Sequence, residues 1–580
     1  MIAIVEALHA GLLNRKNILR NVLAGLVVAF MALPMSMAFA IASGAKPEAG
    51  IYTSIVAVIV VSLFGGSRVQ ITGPTSAFIG LLISIVSAHG IGGLQIAVIM
   101  AGIFMVLLGL LKCGKMIKFI PEQVIAGFTA GIGINMIIGQ LPNFFGISQE
   151  SLKSALNFKA ASLLGIFSSI NARTLCLGIA TIILVLIIDN TKLKKIPSPL
   201  WVIAFGIAVQ MIFNSYNIET GIETIGSKFG GLPRSLPKFT PTGKLSFELI
   251  ESLLGPSFAI AMLGAIESLL CAVITDSLTG IKHDSNQELI AHGLANITSP
   301  LFGGIATTGS IARTIASIRA GANSPLAGIS SAIILAIVVY FLAPLVNYAP
   351  LVSLTVILFF VGYRMINVPH CIKLIIHAPK SDSAIFILTL FLTLSCGIVT
   401  AVETGIILSA LILMYRMSDS WHIDRAKKSK GTSFDFSELP EGVAVYTLSG
   451  PLFFGIIDKM SKMFSSIEMG DRIIILGMHD VPFIDATGIQ NLNSAITTLK
   501  KFDKSILLCD ANDSVVQKLH RSHLISDFIV KTAGKPMKDV IELADTIIKQ
   551  TNDNSDQSNN SNQNNTYDQN EQNKQSPQIS

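Results

Sequence analysis

Glu267 and Arg313 are the two residues on which membrane chemistry can be built. Both lie inside apolar stretches of a 580-residue chain, Glu267 in FAIAMLGAIESLLCAVITDSL and Arg313 in GGIATTGSIARTIAS. An ionisable side chain at membrane depth costs about 2.5 kcal/mol or more on insertion scales, so it marks a ligand site, a coupling group or an ion pair. Arg313 calls for negative charge nearby. That charge is either a bound anion or a carboxylate such as Glu267, paired with it for structure alone. Glu267 in turn either loads and unloads a proton or serves as that structural partner. Burial and a neighbouring cation act on its ionisation in opposite senses, and the sequence leaves the balance open. Asp276, at the end of the same apolar run, reads as a helix-end residue.

The residues around Arg313 are small. Two short glycine-interrupted segments, VQITGPTSAFIGLL at 69–82 and GGIATTGSIARTIAS at 303–317, align on Thr72-Gly73 and Thr308-Gly309. Each reads as an extended stretch, a glycine and the start of a helix. A helix that begins inside the membrane leaves its first amides unpaired and turns the positive end of its dipole inward. Two such ends facing each other form an anion cradle, with the dipole contributing up to about 2 kcal/mol in a partly buried setting. Gly73, Ser76, Ala77, Gly309, Ser310 and Ala312 would let a ligand approach the backbone, and the hydroxyls of Thr75, Ser76 and Ser310 would add donors. No cofactor or metal is called for. A sodium site would need several oxygens near the carboxylate, whereas Cys271 stands one turn on and Ile311 lies between Ser310 and Ala312, which tilts the coupling ion toward a proton.

The elements that position these residues are membrane spans. The chain is 51% hydrophobic and 13% charged, against roughly one quarter charged in a soluble protein. Fourteen segments qualify as spans: 22–43, 50–65, 70–87, 94–111, 121–140, 173–189, 198–214, 250–272, 286–300, 305–318, 325–344, 350–363, 383–397 and 400–415. The two broken segments are the third in the first half and its counterpart in the second, the pattern of an inverted-repeat transporter with a site at the midplane. With a cytoplasmic N-terminus, an even count places Lys112, Lys115, Lys118, Lys192, Lys194, Lys195, Arg364, Lys373 and Lys380 inside, together with Arg416, Arg425, Lys427 and Lys428 before the polar C-terminal region. The net charge of +6 is dispersed through such loops and does not suggest nucleic acid. The six cysteines show neither a metal-ligand nor a disulfide pattern.

This divides the chain into a cytoplasmic N-terminal segment (1–21), a transmembrane domain (22–417), a linker (418–438), an α/β domain (439–550) and a disordered tail rich in Asn, Gln and Ser (551–580). In the α/β domain, VAVYTLSGPLFFG and RIIILGMHDVPFIDATGIQNL read as strands, followed by SILLCDAND and two further helical stretches, with a helix around 455–468. No nucleophile–base pair or phosphate loop is present, which argues against an enzyme.

The runs ALPMSMAFAIASGAKPEAGIYTSIVAVIVVSLFGGSRVQITGPTSAF, IPEQVIAGFTAGIGI, AIESLLCAVITDSLTG and HDSNQELIAHGLANITSPLFGGIATTGSIART resemble the SulP family of anion transporters, in its bacterial branch, and the C-terminal region resembles a STAS domain. The resemblance implies a polytopic α-helical protein of the inner (plasma) membrane, with fourteen spans as a seven-plus-seven inverted repeat. A core domain (spans 1–4 and 8–11) would move against a gate domain (spans 5–7 and 12–14) in an elevator-like cycle, with both termini cytoplasmic. It implies a substrate site at Ser36, Met37 and Phe39 after Pro34, at Ser76 and Ala77, at Glu267, and at Ser310, Ala312 and Arg313. Many relatives have Gln where Met35 stands, and some have Ser at the place of Ala312, so substrate choice is left open among sulfate, bicarbonate, chloride and dicarboxylates. A homodimer is the family expectation. Within Asp485-Ala486-Thr487-Gly488, Thr487 matches the phosphorylated hydroxyl of anti-sigma factor antagonists, and would be either a regulatory phosphorylation site contacting a cytoplasmic partner or an unmodified N-cap.

Taken together, these residues point to proton-coupled secondary uptake of a small inorganic or carboxylate anion through the lipid bilayer. Its alternatives are a passive anion channel, an anion exchanger, a sodium-coupled bicarbonate symporter, and a membrane-anchored signalling protein. A nucleobase carrier of the same fold would favour a neutral stacking site, against which Arg313 and the STAS domain argue.

Overall fold

The structure is a computed structural model that describes residues 2–12, 14–114, 121–147, 170–191, 197–218, 220–241, 246–425, 439–456 and 471–550. The chain divides into two compact units, Met1–Ser409 and Ala410–Ser580. Lys115, Lys118, Lys192, Lys194, Lys195, Lys427, Lys428 and the tail 551–580 lie outside the described residues.

The first unit is helical. It opens with α1 (Ala3–His9), α2 (Arg15–Ala42) and α3 (Pro47–Phe64). Asn14 caps α2 by accepting from the Asn17 amide at 2.9 Å, so this helix starts well before residue 22, where the apolar run alone put it. A two-residue strand, β1 (Thr72–Gly73), a 3-10 turn (Ser76–Phe78) and α4 (Ile79–Leu110) follow. The sequence separates 70–87 from 94–111, and the helix is interrupted between them: Gly90, at φ 67° and ψ −172°, is non-helical and divides α4 into two helical segments, a conformation open to glycine without strain. Next come α5 (Glu122–Phe145), α6 (Ala172–Asp189), α7 (Ser198–Ser215) and the short α8 (Ile225–Phe229).

The order then recurs: α9 (Phe247–Thr279), α10 (Ser285–Leu301), β2 (Thr308–Gly309), the short helix α11 (Ile311–Arg319) and α12 (Leu326–Val346). After these lie α13 (Leu351–Ile366), α14 (Val368–His377), α15 (Lys380–Ser395) and α16 (Ile398–Asp419), the last running past Ser409 into the second unit. Ten helices among the described residues are long and apolar enough to cross a membrane. Large side chains such as Phe341, which is 70% exposed, cover the outside. Apolar surface of this kind is stable against lipid rather than water.

Glycines set which helices touch. A Cβ on Gly102 of α4 would stand 2.6 Å from the Gly293 carbonyl of α10, and one on Gly293 would stand 2.6 Å from the Gly102 carbonyl, so this pair packs backbone on backbone. Gly133 of α5 meets the Gly362 carbonyl of α13 in the same way, at 2.7 Å.

In the second unit four strands pair in the order β3 (His422–Arg425), β4 (Val443–Ser449), β5 (Ile473–Asp480) and β6 (Ser505–Cys509). β3 is antiparallel to β4, and the other pairs are parallel. Helices α17 (Ala486–Lys500), α18 (Asp513–Ser522), α19 (Asp527–Ala533) and α20 (537–550) complete the unit. Two details depart from expectation. The stretch read as linker supplies β3, a four-residue polar strand too short to show a hydrophobic period, and three helical stretches rather than two follow β6. The helix expected around 455–468 is described only at the 3-10 turn Phe454–Ile456.

Candidate functional site

β1 and β2 pair antiparallel, Thr72 with Gly309 and Gly73 with Thr308. Side chains sew this crossing. The Thr72 hydroxyl donates to the Thr308 carbonyl at 2.8 Å, and Ser268 of α9 lies 2.7 Å from the Thr308 hydroxyl while accepting from the Gly309 amide at 3.2 Å. The Ile71 amide donates to the Thr314 hydroxyl at 2.9 Å, and the Ser310 amide to the Ile71 carbonyl at 2.8 Å. The residue before β1 is therefore bonded to the start of the other half's helix, α11. At both helix starts the preceding side chain, Thr75 or Ser310, makes no cap. The first amides of α11, those of Ile311, Ala312 and Arg313, are thereby left without an intrahelical acceptor.

Arg313 is the third residue of α11 and is 0% exposed. Its Nη1 donates to the Ser54 hydroxyl at 3.1 Å, and its Nη2 donates to the Ser36 hydroxyl at 3.2 Å and the Pro74 carbonyl at 3.4 Å. Ser36 and Ser54 are themselves 2.6 Å apart. This arrangement has a local cause in Gly50, where any Cβ would collide with the Ser36 carbonyl, so α2 and α3 meet at this turn and present both hydroxyls together. The expected alternative pairing of Arg313 with Glu267 does not occur. Every hydrogen-bond partner of Arg313 among the described residues is a neutral oxygen, and its Nε is buried without one. A desolvated guanidinium with only neutral partners keeps its full charge available to an anion.

Glu267 is half-buried on α9 and accepts from the Thr75 hydroxyl at 3.3 Å. It thus touches the first helix start, while its neighbour Ser268 holds the second strand. Asp276 closes the end of α9 on His283, with Oδ2 and Nδ1 2.7 Å apart, as a helix-end residue does.

The remaining expected residues fall in different surroundings. Ser76 and Ala77 are buried in the 3-10 turn, and Ser310 and Gly309 are buried at β2. Ala312 is exposed on the open face of α11. Met37 and Phe39 are buried in an apolar cluster with Ile51, Phe144 and Val352. Sequence reasoning missed Ser54 and Pro74, the other partners of Arg313, and Met365 of α13, whose sulfur accepts from Ser76 at 2.9 Å. A serine inside an apolar helix gives no signal of its own, because its hydroxyl can bond its own helix.

In the second unit Asp485 caps α17 by accepting from the Gly488 amide at 2.7 Å. Thr487 is therefore not the N-cap, as the unmodified alternative had it. It is the second helical residue and half-buried.

A helical membrane unit with a buried guanidinium at two crossed helix starts, joined to a small α/β domain, defines a polytopic membrane anion transporter with a C-terminal accessory domain. The Sulfate permease family profile matches residues 18–389 and the STAS domain profile matches residues 437–542. YvdB of Bacillus subtilis (strain 168), named for sulfate transport, is 34% identical over 515 residues, 88% of this chain and 95% of that protein. Bicarbonate transporter BicA of Picosynechococcus is 30% identical over 88% of this chain and 91% of its own length. The chain belongs to the sulfate permease family, a family of transporters. Its fold is shared by the murine Solute Carrier 26 family member A9, at a TM-score of 0.80 and 17% identity over 94% of both chains. The transmembrane domain of a cyanobacterial BicA aligns at a TM-score of 0.58 and 27% identity, over 68% of this chain and 98% of that one.

Proposed function

We propose that this protein carries a small anion by proton-coupled secondary transport, with the anion held between the helix starts at Ser76 and Ile311 and the guanidinium of Arg313. The observation that carries the reading is that Arg313, fully buried, bonds among the described residues only the Ser36 and Ser54 hydroxyls and the Pro74 carbonyl. Thr75, Ser76, Ala77, Gly309, Ser310 and Ala312 line the approach in this reading, Met37 and Phe39 form the apolar wall, and Glu267 takes the proton. Transport would proceed by movement of a core built on α2–α4 and α9–α12 against a gate built on α5–α7 and α13–α16. The Gly102–Gly293 and Gly133–Gly362 contacts, one within each group, support that division.

The names of YvdB and BicA put sulfate and bicarbonate first among substrates, with C4-dicarboxylates next. Fourteen spans, an inner-membrane setting, cytoplasmic termini and a homodimer belong to the same reading. Sodium-coupled bicarbonate symport is the second reading, favoured by the BicA likeness. Uptake of labelled sulfate, bicarbonate and succinate into proteoliposomes, with and without an inward proton or sodium gradient, tests both. Concentrative uptake under one gradient identifies substrate and coupling ion. Flux that only equilibrates in every condition overturns coupled transport in favour of a channel or exchanger.

A further inference from the structure

Along α10 four polar residues recur at spacings of four, four and three: Glu288, His292, Asn296 and Ser299, each 0% exposed. Such spacing puts them on one face. The C-terminal half of this stripe holds the approach to β2. The Asn296 side chain donates to the Thr307 carbonyl at 2.8 Å and accepts from its amide at 2.9 Å, and Ser299 donates to the Ile305 carbonyl at 2.8 Å.

The N-terminal half holds the connection from α3 to β1. Glu288 Oε2 accepts from the Gly66 amide at 2.7 Å and the Ser67 amide at 2.9 Å. Gln287 donates to the Phe64 carbonyl at 2.7 Å, and the Asp284 amide to the Gly66 carbonyl at 3.1 Å. Of these bonds, only the two to Glu288 depend on a titratable group.

The other oxygen of Glu288 faces His292, with Oε1 and Nδ1 3.5 Å apart, while Nδ1 also lies 3.1 Å from the Glu288 carbonyl. Neither Oε1 nor His292 Nε2 has a hydrogen-bond partner among the described residues. Among the described residues the surrounding charges do not neutralise Glu288. Asp276 and Asp284 add negative potential, and the Cys271 thiol faces it from α9. Arg68 is held by Glu6 at 2.5 Å and His283 by Asp276 at 2.7 Å, while Lys282 is exposed. The only titratable groups in the sequences of α4 and α3 are His89 in α4 and Glu48 and Tyr52 near the start of α3. One proton shared between carboxylate and imidazole leaves the pair neutral, whereas none leaves a buried anion held by two amides alone.

We propose that Glu288 and His292 form a proton-holding pair whose protonation state sets the grip of α10 on the α3–β1 connection. Its consequence for transport rests on the reading of Arg313 as the anion's cation, since this connection leads directly to Gly73 beside that side chain. Ionised Glu288 binds the Gly66 and Ser67 amides strongly, and a proton on the carboxyl weakens both bonds. Glu288 and His292 are positioning residues here and need not touch the anion.

Hydrogen exchange of the full-length protein in lipid nanodiscs, without any anion substrate, tests the pair between about pH 5 and pH 8. Corrected for intrinsic rates, protection of the segment containing Gly66 and Ser67 should rise about tenfold with pH, the size of one charge-assisted hydrogen bond. Glu288→Gln should flatten the profile, and His292→Gln should move its midpoint. A flat wild-type profile overturns the proposal, as does an unaltered profile in Glu288→Gln. If Glu288→Gln does not insert, an unmoved midpoint in His292→Gln overturns it equally. Because exchange is read without transport, a protein that carries none of the tested anions still gives the answer, and that failure would count against the proposed function alone.

Discussion

The guanidinium of Arg313 occupies the space that a side chain on Gly73 would need. A Cβ at residue 73 would collide with Nη1 and stand 3.1 Å from Cζ, and the φ of 157° there is one that side chains rarely adopt. The first broken segment and the charge carried by the second are thus fitted to one another directly. Gly73→Ala must push Arg313 away from Ser36 and Ser54. Overpacking of this kind costs about 1–3 kcal/mol. The expected outcome is an inserted protein with a lowered melting temperature and anion affinity reduced about tenfold or more, read by thermal denaturation and labelled-anion binding. Wild-type affinity in that variant would remove the packing from the site.

Replacing the charge itself gives a sharper result. Arg313→Ala should weaken anion binding roughly ten- to a hundredfold, the loss of about 1.5–3 kcal/mol for a hydrogen-bonded charge, while size-exclusion profiles stay those of a folded protein. Arg313→Lys should recover only part of the affinity. An ammonium is a point charge and cannot reach Ser36, Ser54 and Pro74 together as the planar guanidinium does. Undiminished uptake by Arg313→Ala would place the anion elsewhere.

The sequence reveals Arg313 and the two Thr-Gly steps because a cation and paired glycine breaks are rare in apolar runs, and each has a physical reason that depends on few neighbours. It does not reveal Ser54, Pro74 or Met365, whose roles exist only once α2, α3, α11 and α13 are packed. Nor does it separate the two roles weighed for Arg313. The choice between a carboxylate partner and neutral partners is a matter of side-chain direction, and Glu267, with its carboxylate on Thr75, makes no ion pair with Arg313. In the second unit, strands β4–β6 announce themselves by apolar runs, whereas His422–Arg425 joins the sheet through backbone pairing alone, to which side-chain patterns are blind.

Cys509 ends β6 fully buried, and burial together with the adjacent Asp510 carboxylate pushes its thiol up to about 12. The folded state therefore binds this proton more tightly than the unfolded chain, whose thiol titrates near 8.5. The resulting contribution to stability is fully present below the unfolded value and is lost as pH rises from about 9 toward 12. Maleimide at neutral pH should leave Cys509 unlabelled in the folded protein and modify it after denaturation. Cys509→Ala should flatten the alkaline limb of the domain's stability profile. Rapid labelling of Cys509 in the native protein would contradict its burial.

Glu267 connects the two helix starts in a way that bears on coupling. Its carboxylate accepts from Thr75 at 3.3 Å, immediately before the 3-10 turn, and the next residue, Ser268, accepts from the Gly309 amide at 3.2 Å. A proton on Glu267 would remove the charge that competes with the anion for the Thr75 hydroxyl, so proton and anion should bind cooperatively. Glu267→Gln keeps a carbonyl oxygen for Thr75 but cannot gain or lose a proton. Initial uptake into proteoliposomes, measured between about pH 5 and pH 8, should lose its acid stimulation in this variant and should equilibrate rather than concentrate the anion. Thr75→Val should weaken the anion while preserving the pH profile, because the carboxylate is still present. Acid-stimulated, concentrative uptake that persists in Glu267→Gln would transfer the coupling role to another group, with the Glu288–His292 pair the next to replace.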